Sequence, residues 1–337
     1  MQEARNWGRG HVANFLSALR DYFDERNRVW LTGDMESLRK TGRVDTGRGW
    51  WKQSAASIER KRAAALWRKS EVLRAHTRIH LRRVLEENSK LVIRAVVDEE
   101  VTWVCRDGLD YAVESRTIHH LQRWKLVDDT WRLDKAVESD EVQRSPMEEA
   151  PSEFNASTRF AMQMDTSVVS SQQYDRVRAL RYSELWWNGW NPAYVRLVED
   201  CTNFVSQCLY AGRLPMKPAL DRASGWWFHR GPEGKENNWS FSWTTSHGLY
   251  RFLMNQVGAT RIHSAQELKV GDVILYDWSG QGTFHHSAIV SDFDHRGDPL
   301  VNAHSDSSWH RHYLYLDSRA WTAQTRYAFL HLPDVVH

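Results

Sequence analysis

The chain has 337 residues, of which 41% are hydrophobic and 26% charged, and its formal net charge at pH 7 is +2. This length is sufficient for two domains, each with a hydrophobic core of its own. The small net charge produces no global field of the kind that attracts nucleic acid, and no apolar run approaches the roughly 20 residues of a membrane span. We therefore expect a globular protein without a nucleic-acid partner or a membrane span.

The cysteine content indicates a reducing compartment. Three cysteines, an odd number, argue against a disulfide scaffold. Cys201 and Cys208 lie on one predicted helix, roughly 10 Å apart at a rise of about 1.5 Å per residue, which is too far for a disulfide bond. The first residues, MQEARNWGRGHVANF, lack the uninterrupted apolar core of a secretory signal. We expect a cytoplasmic protein, with export by another route left open.

Residues 1–138 predict a small α+β domain in which helices precede a curved antiparallel sheet. Residues 11–31 and 50–70 have the apolar spacing or the composition of helices. From about residue 73 the period changes to two, and strands are predicted at 91–97, 101–104, 117–127 and 131–137, with turns at 98–100 and 128–130. This layout resembles the nuclear-transport-factor-2-like fold. Concave sheets of that kind often bind or pair, so a docking role or a homodimer through this domain is expected.

A linker is predicted over 139–172, because these residues are acidic and then serine-rich, contain two prolines and have no sustained period. The second domain then covers 173–337. Helices are predicted at 174–187, 201–211 and 246–256, and strands at 270–277, 286–290, 300–304 and 326–332. A helix that carries a cysteine therefore precedes an antiparallel sheet.

Cys201 begins the predicted helix 201–211, directly after Asp200, a residue type that often caps helices. Apolar residues at helical spacing place it on the buried face of the first turn. Free backbone N–H groups and the helix dipole stabilise an anion there, so we expect the thiol to have a lowered pKa and to be a better nucleophile. The alternative is a small apolar core residue, because free cysteine is among the most buried residue types.

Histidines lie on two consecutive predicted strands after this helix. A thiol that attacks a carbonyl needs a base within hydrogen-bond reach and a third polar group that fixes the tautomer of the imidazole. His286 opens one strand, where a strand end can reach the start of a helix. Asn302 and His304 are two positions apart on the next strand and point to the same face. Either could orient His286, and the alternative for each histidine is a core or loop residue.

Residues 213–240 form a segment that is too long for a simple connection, and loops of this length are usually functional. Trp226, Trp227 and Trp239 lie within it. Tryptophan offers a large apolar face and one hydrogen-bond donor, which suits a substrate cleft. The alternative is that these side chains cover the edge of the sheet.

Several separated motifs resemble one known family. They are the string DCTNFVSQ at 200–207, Asn191-Pro192-x-Tyr194 before it, HSAIV at 286–290 and Asn302-Ala303-His304-Ser305. In this order they look like the putative amidase domain found in many Gram-positive bacterial proteins, over about 174–332. That domain is related to papain-like and NlpC-type cysteine peptidases, so the resemblance implies a papain-like fold in which a cysteine-bearing helix packs on an antiparallel sheet.

The resemblance also implies roles for individual residues. Cys201 is the nucleophile and His286 the base, with His304 as the orienting residue by motif position and Asn302 as the competing choice. The expected function is hydrolysis of a peptide or amide, of which cell-wall peptides are one class, through a thioester and without a cofactor or metal. The expected substrate-binding residues are Asn191, Tyr194, Trp226, Trp227 and Trp239.

Two other functions are compatible with the same residues. One is a non-catalytic module with a tryptophan-lined groove that binds glycan or peptide. The other is a zinc site formed by Cys201, His285, His286 and His304, although these residues lack the compact spacing of typical zinc motifs.

Overall fold

The computed structural model describes residues 9–40, 51–87, 89–139, 171–231 and 237–336. The chain divides into two units, Met1–Asp140 with Leu316–Ser318 and Glu141–Tyr315 with Arg319–His337. Nearly all of the predicted linker at 139–172 lies outside the described residues. The domain boundaries predicted from the sequence therefore stay a prediction.

In the described part of the first unit, helices precede a four-stranded antiparallel sheet. The elements are α1 (Arg9–Thr32), α2 (Met35–Lys40), α3 (Trp51–Trp67), β1 (Ser70–Glu87), β2 (Ser89–Asp107), β3 (Asp110–Val127) and β4 (Thr130–Ser139). The strands pair in chain order. Large aromatic side chains fill the core between the helices and the sheet, among them Phe15, Phe23, Trp30, Trp103, Trp124 and Trp131. Burial of this apolar surface is the main force that holds the layers together.

The predicted turn at 98–100 is wrong, because β2 continues through these residues. Three adjacent acidic residues are compatible with a strand here because each carboxylate pairs with a cationic side chain or a histidine. The pairs are Asp98 with Arg82 (2.6 Å) and His119 (2.7 Å), Glu99 with Arg26 (3.1 Å) and His120 (2.9 Å), and Glu100 with Arg78 (3.3 Å). By contrast, the turn predicted at 128–130 is confirmed. Asp128 and Asp129 have φ values of 49° and 56°, the left-handed pair that a two-residue hairpin requires.

The second unit combines helices with a second antiparallel sheet. Its described elements are β5 (Gln172–Gln173), α4 (Arg176–Trp186), α5 (Cys201–Ala211), β6 (Phe228–His229), β7 (Asn238–Trp239), α6 (Phe241–Thr244), α7 (Ser246–Phe252), β8 (Thr260–Ile262), β9 (Val273–Asp277), β10 (His286–Phe293), β11 (Pro299–Ala303), β12 (Ser308–His312), β13 (Arg326–His331) and β14 (Val335–Val336). The main strands are ordered β12–β11–β10–β9–β13–β8. The α+β class predicted from the sequence is confirmed.

The two faces of this second sheet have separate cores. On one face, α5 and α7 pack against alternate residues of the central strands, including Leu275 and Ile289. The other face carries Tyr276, Ala288 and Tyr315. Because side chains alternate along a strand, Ser287 points toward α5 and its neighbour His286 points to the opposite face. No helix within the described ranges is long and apolar enough to cross a membrane.

Candidate active site

Cys201 is the first residue of α5, as the sequence predicts, but Asp200 does not cap the helix with its side chain. Its carboxylate instead accepts hydrogen bonds from the Leu197 amide (3.1 Å) and the Asn203 side chain (2.8 Å). The second carboxylate oxygen lies 2.6 Å from His304 Nδ1. Asp200 therefore connects the start of α5 to the segment that follows β11.

Ser305 supplies the cap in place of Asp200. Its hydroxyl oxygen accepts the backbone N–H groups of Asp200 (2.9 Å) and Cys201 (3.2 Å). Ser305 has a φ of 71°, a left-handed conformation that non-glycine residues rarely adopt. The cost of this conformation is offset because the hydroxyl satisfies two amides that would otherwise lack partners.

The Cys201 thiol is buried, with 6% of the residue exposed. Burial raises its pKa, whereas hydrogen bonds from the Ser287 backbone and from the Thr202 and Ser246 hydroxyls act in the opposite direction. The net direction is upward, so the lowered pKa expected from the helix position is wrong for this conformation. Desolvation of the sulfur is the largest of the effects on this pKa.

His286 lies at the start of β10 on the face of the sheet that is opposite α5. Its Nε2 atom is 3.3 Å from the Tyr315 hydroxyl, and its ring packs against Tyr276 and Trp278. Burial lowers the pKa of His286 to about 4, although the charge of Asp306 raises it. The imidazole is therefore neutral at pH 7, the form that can accept a proton.

The structure brings Cys201 to the start of β10 but does not join the thiol to the imidazole. The Cys201 sulfur contacts the backbone of Ser287, the residue that follows His286. The His286 ring hydrogen bonds to the Tyr315 hydroxyl, whereas the Cys201 sulfur lies 3.8 Å from Thr202 Oγ1. A direct proton transfer from thiol to imidazole therefore needs a rearrangement.

His304 and Asn302 have partners other than His286. His304 Nε2 donates to the carbonyl of Trp186 (2.7 Å), and the ring stacks on Phe204 with centroids 4.0 Å apart. Asn302 Nδ2 donates to Ser183 (3.1 Å) and to Glu184 (2.8 Å). In this structure Asn302 attaches α4 to the sheet, His304 contacts both α4 and α5, and neither orients the imidazole of His286.

The expected substrate-binding residues are divided between a loop and the core. Asn191 donates to the Tyr182 hydroxyl (3.0 Å), and Tyr194 packs against Phe228. Trp226 is completely buried and stacks on Phe252, and Trp227 is 5% exposed. Trp239 is half-buried and its ring lies beneath Arg222. Trp226 and Trp227 therefore pack in the core and do not line an open groove.

The four residues of the predicted zinc site do not form a ligand set in this arrangement. Among the described residues of the second unit, one group of acidic and histidine side chains brings its ligand atoms within 4.8 Å of one another. That group is Asp294, Asp298 and His312, and it contains none of the predicted ligands.

Several residues that shape this site were missed by the sequence reasoning. They are Thr202, Ser246, Ser287, Ser305 and Tyr315, all of which contact the thiol, the first amides of α5 or the imidazole. Serine and threonine within a motif carry little signal alone, because they occur widely at caps and turns. The left-handed φ of Ser305 and of Tyr315 (53°) is not readable from residue type.

Comparison with known proteins gives one family match and two relatives. A family model described as a putative amidase domain matches residues 173–330. The uncharacterized protein YhbB of Bacillus subtilis (strain 168) is 36% identical over 272 residues, which are 75% of this chain and 85% of that protein. The uncharacterized protein YjcM of the same organism is 25% identical over 183 residues, which are 50% of this chain and 40% of that protein. The family match agrees with the motifs recognised over about 174–332.

Proposed function

This chain belongs to the putative amidase domain family, and on that premise we propose that it hydrolyses amide bonds with Cys201 as the nucleophile. The observation that carries the proposal is the position of Cys201 at the first residue of α5, with its sulfur against the start of β10. That is where an activated thiol and a strand-borne base are able to meet.

In the proposed reaction, the Cys201 sulfur attacks the carbonyl carbon of the amide, and its proton passes to the imidazole of His286. The imidazole gives this proton to the leaving amine as the C–N bond breaks, which leaves an acyl thioester on Cys201. Water then loses a proton to His286 and attacks the thioester. The C–S bond then breaks, His286 returns the proton to the sulfur, and the products are a carboxylic acid and the restored thiol.

This mechanism requires the His286 side chain to leave the Tyr315 hydroxyl and to approach the Cys201 sulfur. Two features support such a movement. The backbone of Ser287 already contacts the sulfur, so the main chain of His286 is only one residue away. Burial in the present position keeps the ring neutral at pH 7 but makes it a weaker base, so a movement to a less buried position makes it a better proton acceptor. We propose only Cys201 and His286 as catalytic residues, because His304 and Asn302 are engaged elsewhere.

The backbone N–H of Cys201 is the proposed donor to the tetrahedral oxyanion. It donates to the Ser305 hydroxyl at 3.2 Å, so during the reaction the substrate oxygen replaces this hydroxyl as the acceptor. The Asn191–Tyr194 loop, which precedes α5, is a second candidate source of an oxyanion donor. The amides of Ala193 (2.9 Å) and Tyr194 (3.1 Å) already donate to Asn191, so a donor from this loop requires its rearrangement.

Amine release from bacterial peptidoglycan and its soluble peptides is the first test. We expect the parent protein to release amino groups. Cys201→Ala should reduce the rate of release at least about 1,000-fold, because without the nucleophile only substrate binding and oxyanion stabilisation accelerate the reaction. Cys208→Ala is the matched control, since Cys208 lies on the same helix and is completely buried. Circular dichroism checks that both variants fold. A Cys201→Ala variant as fast as the parent contradicts the proposal.

A non-catalytic binding module is the second candidate, and two observations favour it. The thiol and the imidazole have different hydrogen-bond partners, and burial raises the pKa of Cys201. Iodoacetamide discriminates the two functions. An activated Cys201 is labelled faster than Cys105 and Cys208 near pH 7, whereas equally slow labelling of all three supports the binding module.

A further inference from the structure

Three buried hydroxyl groups from three elements meet beside Cys201. Thr202 follows it on α5, Ser246 begins α7, and Ser287 is the second residue of β10. Their oxygen atoms are mutually within hydrogen-bond distance, at 2.9 Å for Thr202–Ser246, 3.0 Å for Thr202–Ser287 and 2.9 Å for Ser287–Ser246. Each of the three residues is 4% exposed or less. These three side chains are referred to below as the hydroxyl cluster.

The hydroxyl cluster contacts the sulfur directly. Thr202 Oγ1 lies 3.8 Å from Cys201 Sγ, and the Ser246 hydroxyl acts to lower the pKa of the thiol. The charged group that acts on the thiol is Asp200, which disfavours the thiolate and is itself paired with His304. His286 faces the other side of the sheet. In this conformation neutral donors therefore carry the stabilisation that a thiolate at this position needs.

We propose that the hydroxyl cluster is a donor relay that stabilises the Cys201 thiolate, with Thr202 as the group in contact with sulfur and Ser246 and Ser287 as positioning residues. This inference rests on the proposed function and deepens it. Its consequence is that the three hydroxyls contribute to the ionisation of the nucleophile before the imidazole arrives.

A count of donors explains how the relay works. Each hydroxyl has one proton to donate and two lone pairs that accept. Beside a neutral thiol, the three protons satisfy the three oxygens in a closed ring. When the thiol ionises, Thr202 turns its proton to the sulfur, Ser246 donates to Thr202, and Ser287 keeps its bond to Ser246. The hydroxyl protons change direction by rotation about the C–O bonds while the oxygen atoms stay in place, so the donors are arranged in advance. Successive hydrogen bonds also strengthen one another.

Packing alone does not explain three hydroxyls at this position. Burial removes each hydroxyl from water. A hydrogen bond between two neutral protein groups is only slightly more favourable than the hydrogen bond to water that it replaces. Apolar side chains of the same size would fill the space without this desolvation. A hydrogen bond to an anion is stronger than one between neutral groups, so the cluster gains most when its neighbour is a thiolate.

The pKa of the Cys201 thiol is the direct readout of this relay. We measure the ultraviolet absorbance of the thiolate against pH and subtract the signal of the same protein carrying Cys201→Ala. Thr202→Val, which keeps the shape but removes the hydroxyl, is expected to raise the pKa by about one unit, because a lost charge-assisted bond is worth about that much. Ser246→Ala should raise it in the same direction, and Thr202→Ser should leave it near the parent value.

Ser206→Ala is the matched control. Ser206 is a buried serine on the same helix, but its hydroxyl bonds to the Trp243 carbonyl (2.9 Å) and to the Trp226 indole (3.1 Å). We expect no change of the Cys201 pKa in this variant. An unchanged pKa in Thr202→Val and Ser246→Ala, or an equal shift in Ser206→Ala, overturns the proposal. If Thr202→Val fails to fold, Ser246→Ala against Ser206→Ala decides the question.

The titration needs no turnover, so it separates this inference from the proposed function. Shifted pKa values together with an absence of amide hydrolysis would contradict the proposed function and support the relay. Hydrolysis that depends on Cys201, with pKa values unaffected by the hydroxyl cluster, would contradict the relay alone.

Discussion

At the start of α5, Ser305 occupies the capping role that the sequence assigned to Asp200. Ser305 caps the helix, which leaves the Asp200 carboxylate free to bind His304. The second ring nitrogen of His304 faces the carbonyl of Trp186 at 2.7 Å. His304 therefore links Asp200 to α4 through its two ring nitrogens.

His286 makes the stability of the second unit depend on pH. Its folded-state pKa of about 4 lies below the ordinary value of 6.5. Between these values the unfolded chain binds more protons than the folded chain, so the free energy of unfolding falls as the pH is lowered from about 6.5 to about 4. The full loss is about 3 kcal/mol, because one pKa unit corresponds to about 1.4 kcal/mol.

Urea unfolding at a series of pH values tests this expectation. Replacing His286 by Asn removes the titrating group, so the fall in unfolding free energy below pH 6.5 should be smaller by about 3 kcal/mol than in the parent. His285→Asn is the control, because His285 is the exposed neighbour of the same residue type. Identical pH profiles for the parent and His286→Asn would show that the imidazole is not buried in its neutral form.

At the scale of elements, ion pairs hold α1 and the sheet of the first unit together. Arg26 on α1 lies between two acidic groups, with bonds to Glu99 on β2 (3.1 Å) and to Glu138 on β4 (2.9 Å). The side chains of Arg26 and Glu99 are fully buried. Although burial alone would raise the pKa of Glu99, the charges of Arg26 and His120 lower it. These carboxylates are therefore stable in the core only while Arg26 is present.

Replacing Arg26 by Met should destabilise the first unit by about 3–5 kcal/mol, because two carboxylates are left buried without their cation. Arg78→Met is the matched control, since Arg78 pairs with Glu100 of the same strand but its side chain is 66% exposed. That change should cost less than about 1 kcal/mol. Urea unfolding measures both changes. Equal losses of unfolding free energy in the two variants would contradict the conclusion that burial makes the ion pairs of Arg26 more important than that of Arg78.

The main helices and most strands were predictable from periodicity, and Cys201 and His286 from their positions at the starts of two such elements. The short strand β12, with the sequence SWHRH, was missed because it has no alternation of apolar and polar residues. The turn at 98–100 was predicted wrongly because three adjacent acidic residues suggest an exposed segment. The partners that stabilise them in the strand come from α1, β1 and β3. Pairings between residues distant in sequence leave no local signal.

On the scale of the whole molecule, residue type alone did not distinguish core residues from residues that line a binding cleft. Trp226 and Trp227 have the chemistry of cleft residues, yet α5 and α7 enclose Trp226 within the core. The thiol pKa also depends on the complete fold, since the largest effect on it is desolvation by burial. The homodimer through the first domain, the linker and the cytoplasmic location stay predictions.

The central claim is that Cys201 becomes acylated during amide hydrolysis. The most direct measurement is mass spectrometry of the protein after acid quench during turnover of peptidoglycan peptides, followed by mapping of the adduct. We predict an acyl group on the peptide that contains Cys201, removed by hydroxylamine as expected of a thioester, and its absence in Cys201→Ala. Turnover of these peptides with no adduct on Cys201 at any quench time, and at an undiminished rate in Cys201→Ala, would contradict the account.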